Sequence, residues 1–228
     1  MEKIENVSNF LRKMENTEIV EINKEKIKIK IIKGSNKIVS IPLFLSEDLS
    51  YIVAAIICDG HLKTDKYRVY FENVNKEVII KMIEKTQRVF DTTINYKIKI
   101  DKRGGRKPSY VIRLNSKPVV MFLSEVFNIP RGKKSHIVIV PEIIKKSNKN
   151  IKNAFLEGVF DTDGGKRGRG LGLSCASITF RNDLIELLSD LDIIVHKDEW
   201  LNKKYNKTYY GFYFKPTGKE LFLKDRFL

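Results

Sequence analysis

The chain has 228 residues, with 43 Lys and Arg against 28 Asp and Glu, a formal net charge of +15 and a pI near 9.6. Hydrophobic residues make up 42% and charged residues 31%, which excludes a disordered or low-complexity chain and leaves room for one domain or two small ones. The charge suits a polyanion, whether DNA, RNA or an acidic membrane, although a solvated lysine-rich surface gives the same composition.

The longest apolar run, Tyr51 to Cys58, is too short to cross a bilayer, and Met1 to Glu5 lacks the apolar core of a signal peptide. The expectation is a cytoplasmic, nucleoid-associated protein with no membrane partner. Cys58 and Cys175 form no CxxC pair, and His61, His136 and His196 are scattered. Reduced core thiols and no zinc site are expected.

In chain order, residues 1–15 read as a short helix with Ile4, Val7, Phe10, Leu11 and Met14 on one face. Ile27–Ile31 and Ile38–Ile41 read as a β-hairpin turning at Gly34-Ser35-Asn36. These residues, 1–45, form an extension to the rest. Ser46 is a good N-cap with Glu47 and Asp48 in the first turn, so a helix runs from Glu47 to Gly60. A strand at Tyr67–Phe71 follows, then a helix opened by Asn75. Strands near 94–100 and 109–114 come next, joined by the basic turn 102–107, and a helix runs from Ser116 to about Phe127.

Residues 129–149 are a linker with the basic run Arg131-Gly132-Lys133-Lys134. The second half then replays the first. Val140-Pro141 echoes Ile41-Pro42, and a helix from about Asn150 is followed by a strand near 171–176 and a helix from Asn182 to Leu191. Strands near 193–201 and 209–215 flank the turn 202–207, and Thr217 opens a last helix. The fold class is α+β, with pseudo-symmetric repeats at 46–128 and 150–228.

Two stretches carry the chemistry. Ile52-Val53-Ala54-Ala55-Ile56-Ile57-Cys58-Asp59-Gly60 and Leu156-Glu157-Gly158-Val159-Phe160-Asp161-Thr162-Asp163-Gly164 are helix-like apolar runs that stop at Asp-Gly. The small residues Ala54 and Gly158 let two helix backbones approach. Side by side, the helices would bring Asp59 and Asp163 together at their C-terminal ends, where the helix dipoles add to the repulsion of the carboxylates. A divalent cation relieves that repulsion, and Mg2+ prefers oxygen ligands. Place six is Ile57 in one motif and Asp161 in the other, so Asp161 is peripheral. Paired carboxylates beside a basic surface point to phosphodiester hydrolysis. Asp-Gly is also a common turn, but two matching copies are harder to explain that way.

Both stretches resemble the motif of the LAGLIDADG homing endonuclease family, the second closely and the first with Ile57 in place of the first Asp. The resemblance spans roughly Ile41 to Leu228. It implies the monomeric two-motif form: two αββαββα-like repeats whose antiparallel sheets form a DNA-binding saddle, with a staggered double-strand cut that uses Mg2+ (Mn2+ substituting). It further implies catalytic support from Lys166, three places after Asp163, from Asn73 on the strand after the first motif, and from Arg113 and Lys215 on the fourth strands. Val74 stands where some members have Lys.

A two-stranded ribbon fits the major groove. Lys97, Lys99, Lys102, Arg103, Arg106 and Lys107 supply one basic hairpin, and Lys203 and Lys204 lie on the matching turn. The Gly-rich segment 164–170 departs from a P-loop, with Phe160 where Gly is needed and Arg167 after Lys166. Arg167 and Arg169 there suit DNA contact. His61 reads as structural or exposed. No Cys or Ser at the start and no terminal His-Asn pair suggest a free-standing or intron-encoded enzyme. The alternatives are an intron maturase that binds RNA on the same fold, and a DNA-binding regulator that no longer cuts.

Overall fold

The structure, a computed structural model, describes residues 2–5, 7–32, 37–100, 107–167, 170–204, 206–216 and 222. The N-terminal part holds β1 (Glu2–Lys3), α1 (Val7–Arg12), β2 (Thr17–Ile22), β3 (Lys26–Ile31), β4 (Ile38–Pro42) and β5 (Phe44–Leu45). The first repeat follows as α2 (Glu47–Cys58), β6 (Gly60–Leu62), β7 (Arg68–Asn73), α3 (Lys76–Phe90), β8 (Tyr96–Lys99), β9 (Ser109–Asn115) and α4 (Lys117–Val126). After α5 (Glu142–Lys145) the second repeat runs α6 (Lys149–Thr162), β10 (Gly165–Arg167), β11 (Gly170–Cys175), α7 (Ile178–Ser189), β12 (Val195–Asn202) and β13 (Lys207–Phe214). Each repeat contains a four-stranded antiparallel sheet, β6-β7-β9-β8 or β10-β11-β13-β12.

Local chemistry sets the helix starts. Ser46, Asn75, Ser116, Asn148 and Ser177 each accept a hydrogen bond from a first-turn amide of the helix that follows, satisfying donors that the helix cannot. The motif helices α2 and α6 pack face to face at the centre. A Cβ added at Gly158 would lie 2.6 Å from the Tyr51 carbonyl oxygen and 2.8 Å from the Ala54 Cβ. Ala54 is fully buried, so the third places of the two motifs meet across the seam. Ser50 Oγ donates to the Ile151 carbonyl at 2.8 Å. Tyr51 Oη donates to Asp161 at 2.9 Å, and Lys81 Nζ reaches both Asp161, at 2.9 Å, and Glu157. Asp161 thus bridges the halves at the seam.

One hydrophobic core runs from Ile4 to Phe222. Phe71 and Ile112 from the first sheet and Leu173 and Phe212 from the second are buried beneath their helices. Phe222 packs its ring 4.7 Å from Phe160 and 5.0 Å from Phe214.

Several elements differ from expectation. The helix expected over 1–15 covers only Val7–Arg12, because Glu2–Lys3 pairs with Phe44–Leu45 instead. The hairpin of the extension is a three-stranded sheet, β2-β3-β4. Its Ile27, Ile29, Val39 and Ile41 are buried in the common core, so the alternation of Ile and Lys records one covered face rather than an appendage. The short β6 and β10 after the motifs complete the αββαββα order that the resemblance implies, and α5 within the linker is additional. Helix α7 starts at Ile178, because Ser177 rather than a later residue caps it. The turn at 34–36, most of the turn at 102–107 and the helix expected from Thr217 lie outside the described residues.

Candidate metal centre and nucleic-acid face

Both motif helices end on their aspartate. Asp59 caps α2 with φ −92° and ψ −12°, and its amide donates to the Ala55 carbonyl. Asp163 caps α6 with φ −101° and ψ −7°, its amide donating to Val159. The glycine after each aspartate is sterically required. A Cβ at Gly60 would sit 2.8 Å from Ile56 Cα, and one at Gly164 would sit 2.5 Å from the Phe160 carbonyl oxygen. The chain therefore folds back over each helix end, which holds both carboxylates at the seam.

Their electrostatics follow from that placement. Burial, then the charge of Asp163, pushes Asp59 up to about 6, while Asn73 and Lys134 pull the other way. Asp163 is also raised, first by burial; it is more open to solvent than Asp59, yet enough protein surrounds its carboxyl for desolvation to lead. The Cys58 thiol is pushed well up, first by burial and then by the charge of Asp163.

Of the predicted supporting residues, Asn73 is brought directly to the site: its Nδ2 donates to Asp59 Oδ2 at 2.6 Å. Arg113 lies instead on the sheet face turned away from the helices, its guanidinium 5.9 Å from the Tyr70 ring. Lys166 is exposed on β10 opposite Leu171. Neither makes an ion pair with Asp59 or Asp163 among the described residues. The two halves also differ in detail. Counting from the motif glycines along the registers sets Cys175 at the place of Asn73 and Tyr213 at that of Arg113, so Lys215 falls level with Asn115 rather than Arg113. Burial pushes the Cys175 thiol to about 11, and it donates to the Ser177 carbonyl at 3.1 Å.

Lys134 of the linker also reaches the site. Its ammonium donates to the carbonyls of Ile57 and Cys58, the latter at 3.0 Å, and its charge acts on both Asp59 and Asp163. Burial lowers its pKa. Arg131 is fixed as well, donating to the carbonyls of Lys63 and Thr64 and lying 5.0 Å over the Tyr67 ring. Their only signal in the sequence was the basic run in the linker.

Lys97 and Lys99 share the outer face of the first sheet with Arg113, opposite Val111 and Ser109. Lys99 is engaged there, 2.9 Å from both oxygens of Glu72. Burial opposes the Glu72 charge, but hydrogen bonds from Ser109, Tyr70 and Lys99 outweigh it and hold the carboxyl down at about 2. Lys107, Lys203 and Lys204 are exposed. Arg167 lies at the end of β10, and Lys102, Arg103, Arg106 and Arg169 lie outside the described residues. His61 is half-buried with its ring 5.1 Å from Tyr70, lining a cleft of about 800 Å³ with Lys63, Lys133, Lys134 and His136.

The donors at the centre are two carboxylates. Among the described residues no group of three or more His, Cys, Asp or Glu gathers. Two hard oxygen donors that repel one another suit a Mg2+-type cation that completes its shell with water and substrate oxygens, and they do not suit zinc. No helix among the described residues is long and apolar enough to cross a membrane.

Known proteins share this fold. Residues 150–224 match the model of the LAGLIDADG-like domain. A replication factor C small subunit of Methanocaldococcus jannaschii is 33% identical over 166 residues, which is 72% of this chain and 8% of that protein. A glutamine–fructose-6-phosphate aminotransferase of the same organism is 26% identical over 171 residues, 74% of this chain and 15% of that protein. The chain therefore spans only a small part of the curated relatives it matches. Among solved structures, homing endonuclease I-DmoI in complex with DNA and Ca superposes with a TM-score of 0.56 at 16% identity, over 79% of this chain and 89% of that one. Its complex with DNA and Mn gives 0.55 at 17% identity, over 79% and 96%. Full-length DUF199/WhiA from Thermatoga maritima gives 0.55 at 14%, over 78% of this chain and 54% of that one.

Proposed function

The chain has the LAGLIDADG fold, and from that premise we propose that it is a site-specific DNA endonuclease. It acts as a monomer on double-stranded DNA and makes a staggered double-strand cut at a long recognition site with Mg2+, for which Mn2+ substitutes. The observation that carries this reading is the pair Asp59 and Asp163. They cap two packed helices with near-identical backbone geometry, burial raises the cost of ionising both carboxyls, and the charge of Asp163 adds to that cost at Asp59.

When bound, the cation lowers the pKa of an attacking water and steadies the leaving oxygen. Asp59 and Asp163 hold it, and Asn73 keeps one Asp59 oxygen aimed by its hydrogen bond. Lys97 and Arg113 on the outer face of the first sheet bind phosphates and fix register on the duplex. Lys166 and Lys215 offset charge on the scissile phosphates. Because I-DmoI has been solved with DNA together with Ca or Mn, the same partner and cation class is a reasonable assignment here. Neither replication nor aminotransferase activity carries over. The similarity covers a small, shared segment of two proteins whose names have no activity in common, which fits a module that occurs in different hosts.

The equal likeness to WhiA leaves a second reading open, a protein on this fold that does not cut. Retention of both motif aspartates weighs against it. A supercoiled plasmid library incubated with Mg2+ separates the two. The wild type should give a discrete double-strand cut, and Asp163→Asn should lower the cutting rate by at least about a hundredfold while leaving binding intact. Unchanged cutting by Asp163→Asn removes the metal-ligand assignment, and tight binding to intron RNA without DNA cleavage favours a maturase.

A further inference from the structure

One group at the paired helix ends does not come from the repeats. Lys134 belongs to the linker, yet its ammonium is seated on the last carbonyls of α2, those of Ile57 and Cys58. Those carbonyls carry the partial negative charge of the helix C-terminus, and the two motif carboxylates add theirs. The lysine is held in place from both sides. Before it, the Gly132 amide donates to Leu62 at 2.8 Å and Arg131 clamps the turn after β6. After it, the amides of Ile137 and Val138 both donate to the Lys134 carbonyl at 3.0 Å. The Val138 carbonyl accepts from Ser177, and the Val140 amide donates to the buried Asp183. The linker thus spans from the first repeat to the second with Lys134 fixed between its anchors.

We propose that Lys134 is a positioning residue of the catalytic centre: a tethered cation that partly neutralises the converging helix ends and carboxylates and so sets how tightly they hold a divalent ion. This rests on the reading of Asp59 and Asp163 as the cation site. A lysine fixed by its backbone on both sides does not leave when the divalent ion arrives. The site therefore stays assembled without metal, and it binds metal less tightly than its carboxylates alone would allow.

The test is calorimetric titration with Ca2+ on the full chain, alongside thermal melts in EDTA, for wild type, Lys134→Met, Lys134→Arg and Asp163→Asn. Methionine keeps most of the apolar stem and removes the charge. Lys134→Met should bind Ca2+ about three- to tenfold more tightly, the scale of one charge removed from a half-buried site. Its metal-free melting temperature should fall below that of the wild type, because the last carbonyls of α2 lose the cation seated on them, and Lys134→Arg should restore both properties. A merely structural lysine would lower stability without raising affinity. If Asp163→Asn abolishes Ca2+ binding while Lys134→Met leaves affinity unchanged or weaker, the assignment of Lys134 falls and the cation site stands. If Asp163→Asn binds Ca2+ as well as the wild type, the cation site itself falls and Lys134 with it.

Discussion

Asp59 shows how a single residue records its surroundings. Its pKa is raised from 3.8 to about 6, first by burial and then by Asp163, so folding favours its protonated form. The sign is then fixed: the contribution is greatest below about pH 4 and is lost as the pH rises through about 6. The ionised carboxylate costs the metal-free protein on the order of 2 kcal/mol once partial exposure is allowed for. Asp59→Asn should therefore raise the melting temperature in EDTA at pH 8 by a few degrees and give no gain at pH 4. Equal gains at both values would contradict the burial of a charged carboxyl. Asp163 was legible in the sequence for the same reason as Asp59: each follows an apolar run and precedes a glycine that a Cβ would disturb. Asn73 and Lys134 were not equally legible. Asn73 was assigned by resemblance alone, and Lys134 carried no pattern beyond its basic neighbours.

At the scale of the element, the α2–α6 seam holds the molecule together and also places its chemistry. Tyr51 is fully buried there and Gly158 faces its carbonyl with no room for a Cβ. Gly158→Val should cost at least about 1–3 kcal/mol in urea unfolding and lower cutting as well, because the helix ends part when the helices do. A Cβ at Gly165, two residues past Asp163, meets nothing within 4 Å, so Gly165→Ala should leave stability unchanged within about 0.5 kcal/mol. The ion pairs of Lys81 with Glu157 and Asp161 join α3 to α6 across the same seam. Lys81→Met should destabilise by about 1–3 kcal/mol by leaving two half-buried carboxylates without their cation. A loss that disappears at high salt would mean the pair is only superficial.

For the whole molecule, charge decides the behaviour. The net charge of +15 is spread unevenly, with Lys97, Lys99 and Arg113 on one sheet face and the carboxylates of Asp59 and Asp163 at the ends of the motif helices. DNA affinity should fall linearly with salt on a log–log plot, each neutralised phosphate adding about 0.9 to the slope, and Lys97→Ala should flatten the slope by about one unit. Lys99→Ala should flatten it less, because Glu72 already holds that ammonium at 2.9 Å. Equal slopes for the two variants would show that the Glu72 pair opens on binding.

The sequence by itself determined the repeat, the helix starts at Ser46, Asn75 and Ser116, the close approach at Ala54 and Gly158, and the pairing of one acid from each motif. These depend on neighbours within a few residues or on one motif compared with the other. Only the tertiary structure decided that Thr17–Ile22, Lys26–Ile31 and Ile38–Pro42 form a sheet whose inner face joins the core, that Cys175 stands where Asn73 does in the other half, and that the linker delivers Lys134 to the helix ends. Each of these depends on strand register or on a contact across scores of residues. Alternating Ile and Lys mark a covered face without naming what covers it, and a lysine in an aperiodic linker carries no sign of the carbonyls it will meet.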